Sequence, residues 1–465
     1  MTFQLLLAGP GAGEEVRFQP DARALSLQPH LPRAPTSKLL DVLGDAGGDP
    51  KDLRAQRWGL VLPAGQELEP VLQQLAPLLE LRARQQGAAV RTYRAPTGLE
   101  GTAVHDWCDD VYEDEETDEA DRPRYLLLVG DFEQVSLELQ QALSLRAWVG
   151  RLSFDRVEDY GHYARKVCRW AEDPRERQAE AVFYSVRDGT EATWLGHAGL
   201  VEPSYRQFLK LQERGSLSLT GLRGPDDLGP APTDLLDVAA VDRPTVLLSM
   251  SHGLTASPAG WESSEQQRAL QGAMRFGAHQ WLSGAEVEGR AFLPGGFWLY
   301  FACFGAGTPA VSQYREWFER LRGIREDAEA LLRYLEGPAP RPFTAALPQR
   351  ALANPHGPLG VIAHVDLTWN DSFQDTTKSF GSRASRFFVP LQLLAQGARA
   401  GIAVKQLSLA ADRIDNHLWV LQRHATQAQE EERERLWMLR QDLRAFILLG
   451  DPAARLPLRS DVQAR

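Results

Sequence analysis

The sequence predicts an α/β protein of two subdomains, each built on a mainly parallel sheet flanked by helices. Three observations predict it. Short apolar runs alternate with stretches of helical periodicity. The runs are apolar throughout, as in strands covered on both faces, rather than at every second residue. The chain has 465 residues, 43% of them hydrophobic and 24% charged, which is enough apolar material for more than one core.

The elements follow in order. Residues 1–54 are rich in Pro and Gly and read as an irregular arm or cap. Trp58 to Leu62 is a strand-type run. Leu68, Val71, Leu72, Leu75, Leu78, Leu79 and Leu81 then recur at helical spacing, and Gly87 supplies the stop. Ala89–Tyr93 and Tyr125–Gly130 are two further strands, which complete a first subdomain over 55–173. Ala171 to Arg177 reads as a hinge. In the second subdomain, 174–458, buried strands are expected at Ala181–Val186, Thr245–Met250, Phe297–Ala302 and Leu359–Val365. Arg214–Pro244 and Gly337–Pro358 read as long surface loops. A last helix carries Leu436, Leu439, Leu443, Phe446 and Ile447 on one face and stops at Gly450.

Composition excludes several classes. Asp and Glu number 62 against 51 Lys and Arg, a net charge of −11, which disfavours a nucleic-acid partner. No apolar run approaches the ~20 residues that span a bilayer, so no membrane partner is expected. The first ten residues lack the basic start and the length of a secretory leader. The 3 cysteines do not form a disulfide framework. A cytoplasmic location is the resulting expectation. No zinc-type spacing and no Walker-type loop is present, so no metal or other cofactor is expected.

Chemistry concentrates at the ends of two strands. One runs from Val246 through Ser251 to His252-Gly253, the other from Phe297 through Ala302 to Cys303-Phe304-Gly305. Ligands of open parallel sheets bind beyond the carboxyl ends of strands, where both residues fall. A thiolate is a strong nucleophile, and an imidazole can pass a proton to a leaving amine near neutral pH. Gly253 lets the backbone approach a substrate, and its N–H with that of Cys303 suits an oxyanion. Cys108 and Cys168 read as structural, His197 as a loop residue and His364 as a core or near-site histidine. No Gly-x-Ser-x-Gly elbow is present, which argues against a serine hydrolase.

The order His then Cys, about 50 residues apart with Ala-Cys-x-Gly at the second, resembles the caspase arrangement. More broadly, the chain resembles the clan of cysteine peptidases that holds caspases, gingipains, separase and CHAT proteins. Leu126 to Asp131, Val149 to Leu152, Gly360 to Trp369 and Leu448 to Pro452 are similar to landmarks of the gingipain-like branch, in the same order. The resemblance implies two caspase-like subdomains with catalysis in the second. It implies Cys303 as nucleophile, His252 as general acid and base, and Trp369 as a wall of the primary specificity pocket with Phe373 beyond it. Asp188 is the nearest match to an acid that orients the histidine. Arg187-Asp188-Gly189-Thr190 also resembles the caspase Arg-x-Gly-Thr.

The resulting expectation is a cysteine endopeptidase that acts on protein substrates. Asp188, Glu191 and Glu202 favour cleavage after Arg, with cleavage after Asp, read by Arg187, as the rival. The whole pattern is similar to prokaryotic caspases of CRISPR-linked SAVED-CHAT cascades, which implies an upstream activating protease and a role in signalling or antiviral defence. The alternative is a non-catalytic scaffold on the same fold. The acidic stretch Asp106–Asp121 reads as an extended loop, and cleavage within 105–124 is the expected control. Calcium binding there is disfavoured because the Asp spacing of an EF-hand is absent.

Overall fold

The strands are β1 (Leu7–Ala8), β2 (Trp58–Pro63), β3 (Arg91–Ala95), β4 (Tyr125–Val129), β5 (Trp148–Leu152), β6 (Ala179–Ser185), β7 (Leu219–Arg223), β8 (Thr245–Met250), β9 (His252–Leu254), β10 (Met274–Gly277), β11 (Gln280–Leu282), β12 (Phe297–Phe301), β13 (Gly307–Thr308), β14 (Phe343–Thr344), β15 (Gly360–His364), β16 (Gln374–Asp375), β17 (Gly381–Ser382) and β18 (Phe446–Gly450). They come from a computed structural model. It describes residues 4–458 apart from 12–14, 19–20, 22–23, 25, 28–47, 66, 173–177, 258, 341, 376–380 and 424–426.

Among the described residues, one 10-stranded sheet runs in the order β3-β2-β4-β5-β18-β15-β12-β8-β6-β7. Neighbours are parallel except β15 and β18, which pair antiparallel from Gly360↔Gly450 to His364↔Phe446. The strands of 55–173 and of 174–458 therefore lie side by side in a single sheet. β18 joins the two groups, through Leu449↔Arg151 on one side. The central strands are buried along their whole length, which accounts for their continuous apolar sequence. Helices cover the sheet, among them Glu69–Gln86 packed on Val157–Glu172. Gly87 closes the first of these at φ 69, its N–H on the Ala83 carbonyl. No described helix is long and apolar enough to cross a membrane.

A second, small sheet has the order β1-β9-β10-β11. Its first strand comes from the arm, which is thus built into the molecule at Leu7–Ala8 rather than lying over it as a cap.

Four expectations are corrected. The last helix ends at Arg444, and Phe446–Gly450 is a strand. Four apolar residues followed by Gly fit either state, and antiparallel pairing with β15 decides. The stretch Arg214–Pro244 contains β7 and a helix, Pro232–Ala239, and Gly337–Pro358 contains β14 and a helix, Ala346–Ala353. His197 opens a helical turn, His197–Val201, with Nδ1 2.9 Å from Ser185 Oγ.

The acidic stretch is folded, not extended. Trp107, Cys108 and Tyr112 bury one side of it, and Arg146 takes Asp109 and Glu113 on the other. Arg57 pairs with Asp121, and Arg124 with Glu119. Apolar anchors and neighbouring arginines outweigh the mutual repulsion of the carboxylates. Arg124, at the end of the stretch expected to be cleaved, is buried. Of the hinge, Ala171 and Glu172 belong to a helix, and 173–177 lie outside the described residues.

Candidate active site

β8 and β12 are neighbours, with Met250 paired to Phe301. His252 and Cys303 each lie two residues beyond that pair, so the register alone sets them side by side at the carboxyl edge. Ser251 N–H bonds the Phe301 carbonyl at 3.2 Å and ties the two strand ends together. A Cβ on Gly253 would lie 1.9 Å from the Cys303 carbonyl oxygen, so only glycine permits this approach. Phe304 follows at φ 56, a left-handed conformation unusual for a side chain of that size. Its N–H is held by the Asp366 carbonyl at 2.9 Å.

His252 is backed by a polar cluster. Its Nε2 is 2.8 Å from Thr190 Oγ1 and 3.8 Å from Asp188 Oδ2. Thr190 and Thr193 hydroxyls donate to Asp188 Oδ1 at 2.8 and 2.7 Å, and Arg275 Nη1 donates to Oδ2 at 3.0 Å. With the Thr190 hydroxyl donating to Asp188, its oxygen is left to accept from Nε2–H. Nδ1 is then the bare nitrogen, buried and without a hydrogen-bond partner among the described residues.

Burial dominates the electrostatics. It lowers the His252 pKa to about 4, although Asp188 opposes the shift. For Asp188, burial works to raise the pKa, but the His252 charge and the bonds from Thr193 and Thr190 prevail and lower it. Burial pushes the Cys303 thiol well up, against the N–H of Thr368, which lies 3.2 Å from the sulfur. Both His252 and Cys303 are 0% exposed. In this state the thiol and the imidazole are both neutral.

The remaining expected residues fall as follows. Trp369 is buried, its ring 5.9 Å from that of Phe18 and 5.7 Å from that of Tyr314. The Phe373 ring lies 5.3 Å from that of Phe301. Glu191 accepts from the Gln4 side-chain amide at 2.9 Å. Glu202 pairs with Arg206 on its own helix, at 2.6 Å, and no described contact joins it to the pair. Arg187 is taken by Asp226 and the Pro225 carbonyl. His364 is a satisfied core residue between Asp366 and Asp442. Cys168 donates to the Pro77 carbonyl, and Cys108 is buried.

Sequence reasoning missed Thr193 and Arg275. Thr190 and Thr368 stood inside quoted motifs without a role. No spacing rule marks these residues, because they reach the site from separate elements.

No protein-family model matches the sequence, and no curated protein matches it. Among solved structures, the chain is similar to the Arg-specific cysteine proteinase gingipain R, at 12% identity and a TM-score of 0.47, over 88% of this chain and 79% of that one. It is also similar to a structure described as a protease, at 12% identity and a TM-score of 0.46, over 86% of this chain and 78% of that one.

Proposed function

We propose that the chain is a cysteine endopeptidase. Cys303 is its nucleophile, His252 its proton carrier, and the N–H groups of Gly253 and Cys303 its oxyanion site. The observation that carries the reading is the juxtaposition of His252-Gly253 with Cys303 at paired strand ends, with Thr190 and Asp188 behind the imidazole. In the proposed reaction, His252 Nδ1 takes the thiol proton. The sulfur adds to the substrate carbonyl, the C–N bond breaks, and the amine leaves with that proton. Water then hydrolyses the thioester and regenerates the thiol.

Asp188 is a positioning residue here. Its carboxylate is held by Arg275 and by the Thr190 and Thr193 hydroxyls, which argues against its serving as a pocket floor for Arg. Glu202 and Arg187 are likewise engaged elsewhere. Protein substrates, a cytoplasmic place in a signalling or defence cascade and an upstream activating protease belong to this reading on sequence motifs alone. Because residues 4–8 pack against Gly253 and Trp369 beside Cys303, the test is cleavage of a peptide library by chains lacking residues 2–9 that carry the unaltered pair, Cys303→Ala or His252→Ala. Each variant is expected to lose at least ~10³-fold in turnover while keeping its fold. Unchanged turnover in folded Cys303→Ala protein overturns the reading.

A further inference from the structure

The groove beside Cys303 is filled by residues Gln4–Ala8 of the same chain. On one side the segment runs antiparallel to Thr368–Asn370. Leu6 N–H donates to the Thr368 carbonyl at 3.2 Å, and Leu5 bridges Trp369. The Gln4 carbonyl accepts from Asn370 N–H at 3.1 Å, and Gln4 N–H donates to Asn370 Oδ1 at 2.8 Å. On the other side β1 runs parallel to β9, with Leu7↔Gly253 and Ala8↔Leu254. Thr255 N–H bonds the Ala8 carbonyl at 3.1 Å. Leu5, Leu6, Leu7 and Ala8 are all fully buried.

The register matters most at one bond. Gly253 N–H donates to the Leu6 carbonyl at 3.0 Å. That N–H is the donor which the peptidase reading assigns to the carbonyl of the cleaved residue. The Leu6–Leu7 peptide bond therefore lies where a substrate's reacting bond would lie. The chain further on secures the segment, with Val16 N–H on the Leu7 carbonyl at 3.0 Å and Glu15 bridging Ala8. Arg275 spans from Asp188 to the Gly11 carbonyl, at 3.0 and 2.9 Å, so one guanidinium joins the backbone just after the segment to the acid behind His252.

We infer that the groove between Thr368–Asn370 and β9 is a binding site for an extended peptide, and that Gln4–Ala8 is its tethered occupant. The ligand takes backbone bonds along both edges. It carries a large apolar side chain where Leu6 stands and a hydrogen-bond donor two residues earlier, facing Glu191. While the segment is in place, outside peptides are excluded and the thiol is sealed from water. The assignment of Leu6 rests on the peptidase reading; the occupancy of the groove does not.

The experiment measures alkylation of Cys303 by iodoacetamide, read by mass spectrometry. Three chains are compared: the parent, one lacking residues 2–9, and a full-length Leu7→Glu chain whose buried charge expels the segment. Cys108, buried in the other core cluster, reports on the fold within each molecule. Cys303 is expected to react at least tenfold faster in both altered chains, with Cys108 unchanged. A synthetic peptide of residues 3–9 should slow the reaction again, and the same peptide with Arg in place of Leu6 should protect tenfold less well. Equal Cys303 rates in all three chains overturn the proposal, as does equal protection by a scrambled peptide. Better protection by the Arg peptide overturns the apolar ligand class. Freed Cys303 without peptide cleavage refutes the peptidase and leaves the groove standing. Equal cleavage by parent and trimmed chains refutes the closure and leaves the peptidase standing.

Discussion

Gly253 carries the tightest constraint at the site, because any side chain would meet the Cys303 carbonyl. In a chain lacking residues 2–9, Gly253→Ala should lower kcat/KM for peptide cleavage by about 100-fold or more, since its N–H is displaced from the proposed oxyanion position. Unchanged kcat/KM would show that this N–H is not used. Thr190→Val removes the acceptor of His252 Nε2–H without altering volume much. It should lower kcat rather than raise KM and shift the pH profile of kcat; an unmoved profile would make Thr190 merely structural. His252 also links stability to pH. Folded, it stays neutral down to about 4, whereas unfolded it takes a proton near ~6.5. The unfolded chain binds more protons in that window, so stability rises with pH across it and is lost as pH falls. Urea titrations at several pH values should show a shallower slope in His252→Gln; equal slopes would contradict the shift. At this scale the sequence was informative where a residue type is rare for its place. His-Gly and Ala-Cys after apolar runs stood out, whereas Thr190, Thr193 and Thr368 are ordinary residues that matter only by position.

β18 shows how an element is decided by its neighbours. Phe446–Gly450 continues the apolar face of the preceding helix, so helical periodicity extended across it. The chain leaves the helix because the backbone of β15 offers a full antiparallel ladder. The acidic stretch makes the complementary point. Its charge density suggested an exposed loop, but Arg146 and a buried aromatic side fix it. Limited proteolysis of the parent should therefore leave 105–124 uncut. Arg146→Ala should become sensitive there, because Asp109 and Glu113 lose their common partner. Rapid cutting of the parent within this stretch would contradict the packing.

Asp451 holds the two groups of strands together at the scale of the whole molecule. Fully buried after β18, it binds Arg82 through Nε at 2.9 Å and Nη2 at 2.5 Å, and it accepts from the Trp58 indole at 2.9 Å. Its own N–H donates to Tyr163 Oη, which in turn donates to the Leu359 carbonyl, both at 2.7 Å. Asp451→Ala leaves the Arg82 charge buried and unpaired, at a cost of about 3–5 kcal/mol. Calorimetry should then show the 58–152 region melting ahead of the rest, as two transitions in place of one. A single unshifted transition would mean that the sheet is joined by β18 alone.

The sequence by itself determined seven of the ten strands of the large sheet and the two strand ends that carry His252 and Cys303. Continuous apolar runs and a glycine within two residues of His252 and of Cys303 are local signals that need no distant partner. Only the tertiary structure decided how those pieces meet. It merged the two groups of strands into one sheet through β18, drew Thr190, Asp188 and Arg275 behind His252, and folded the acidic stretch. It also laid Leu5-Leu6-Leu7 in the groove beside Cys303. The reason is physical. A run of three leucines states only that it must be buried, and which backbone edge buries it depends on residues more than 200 positions away.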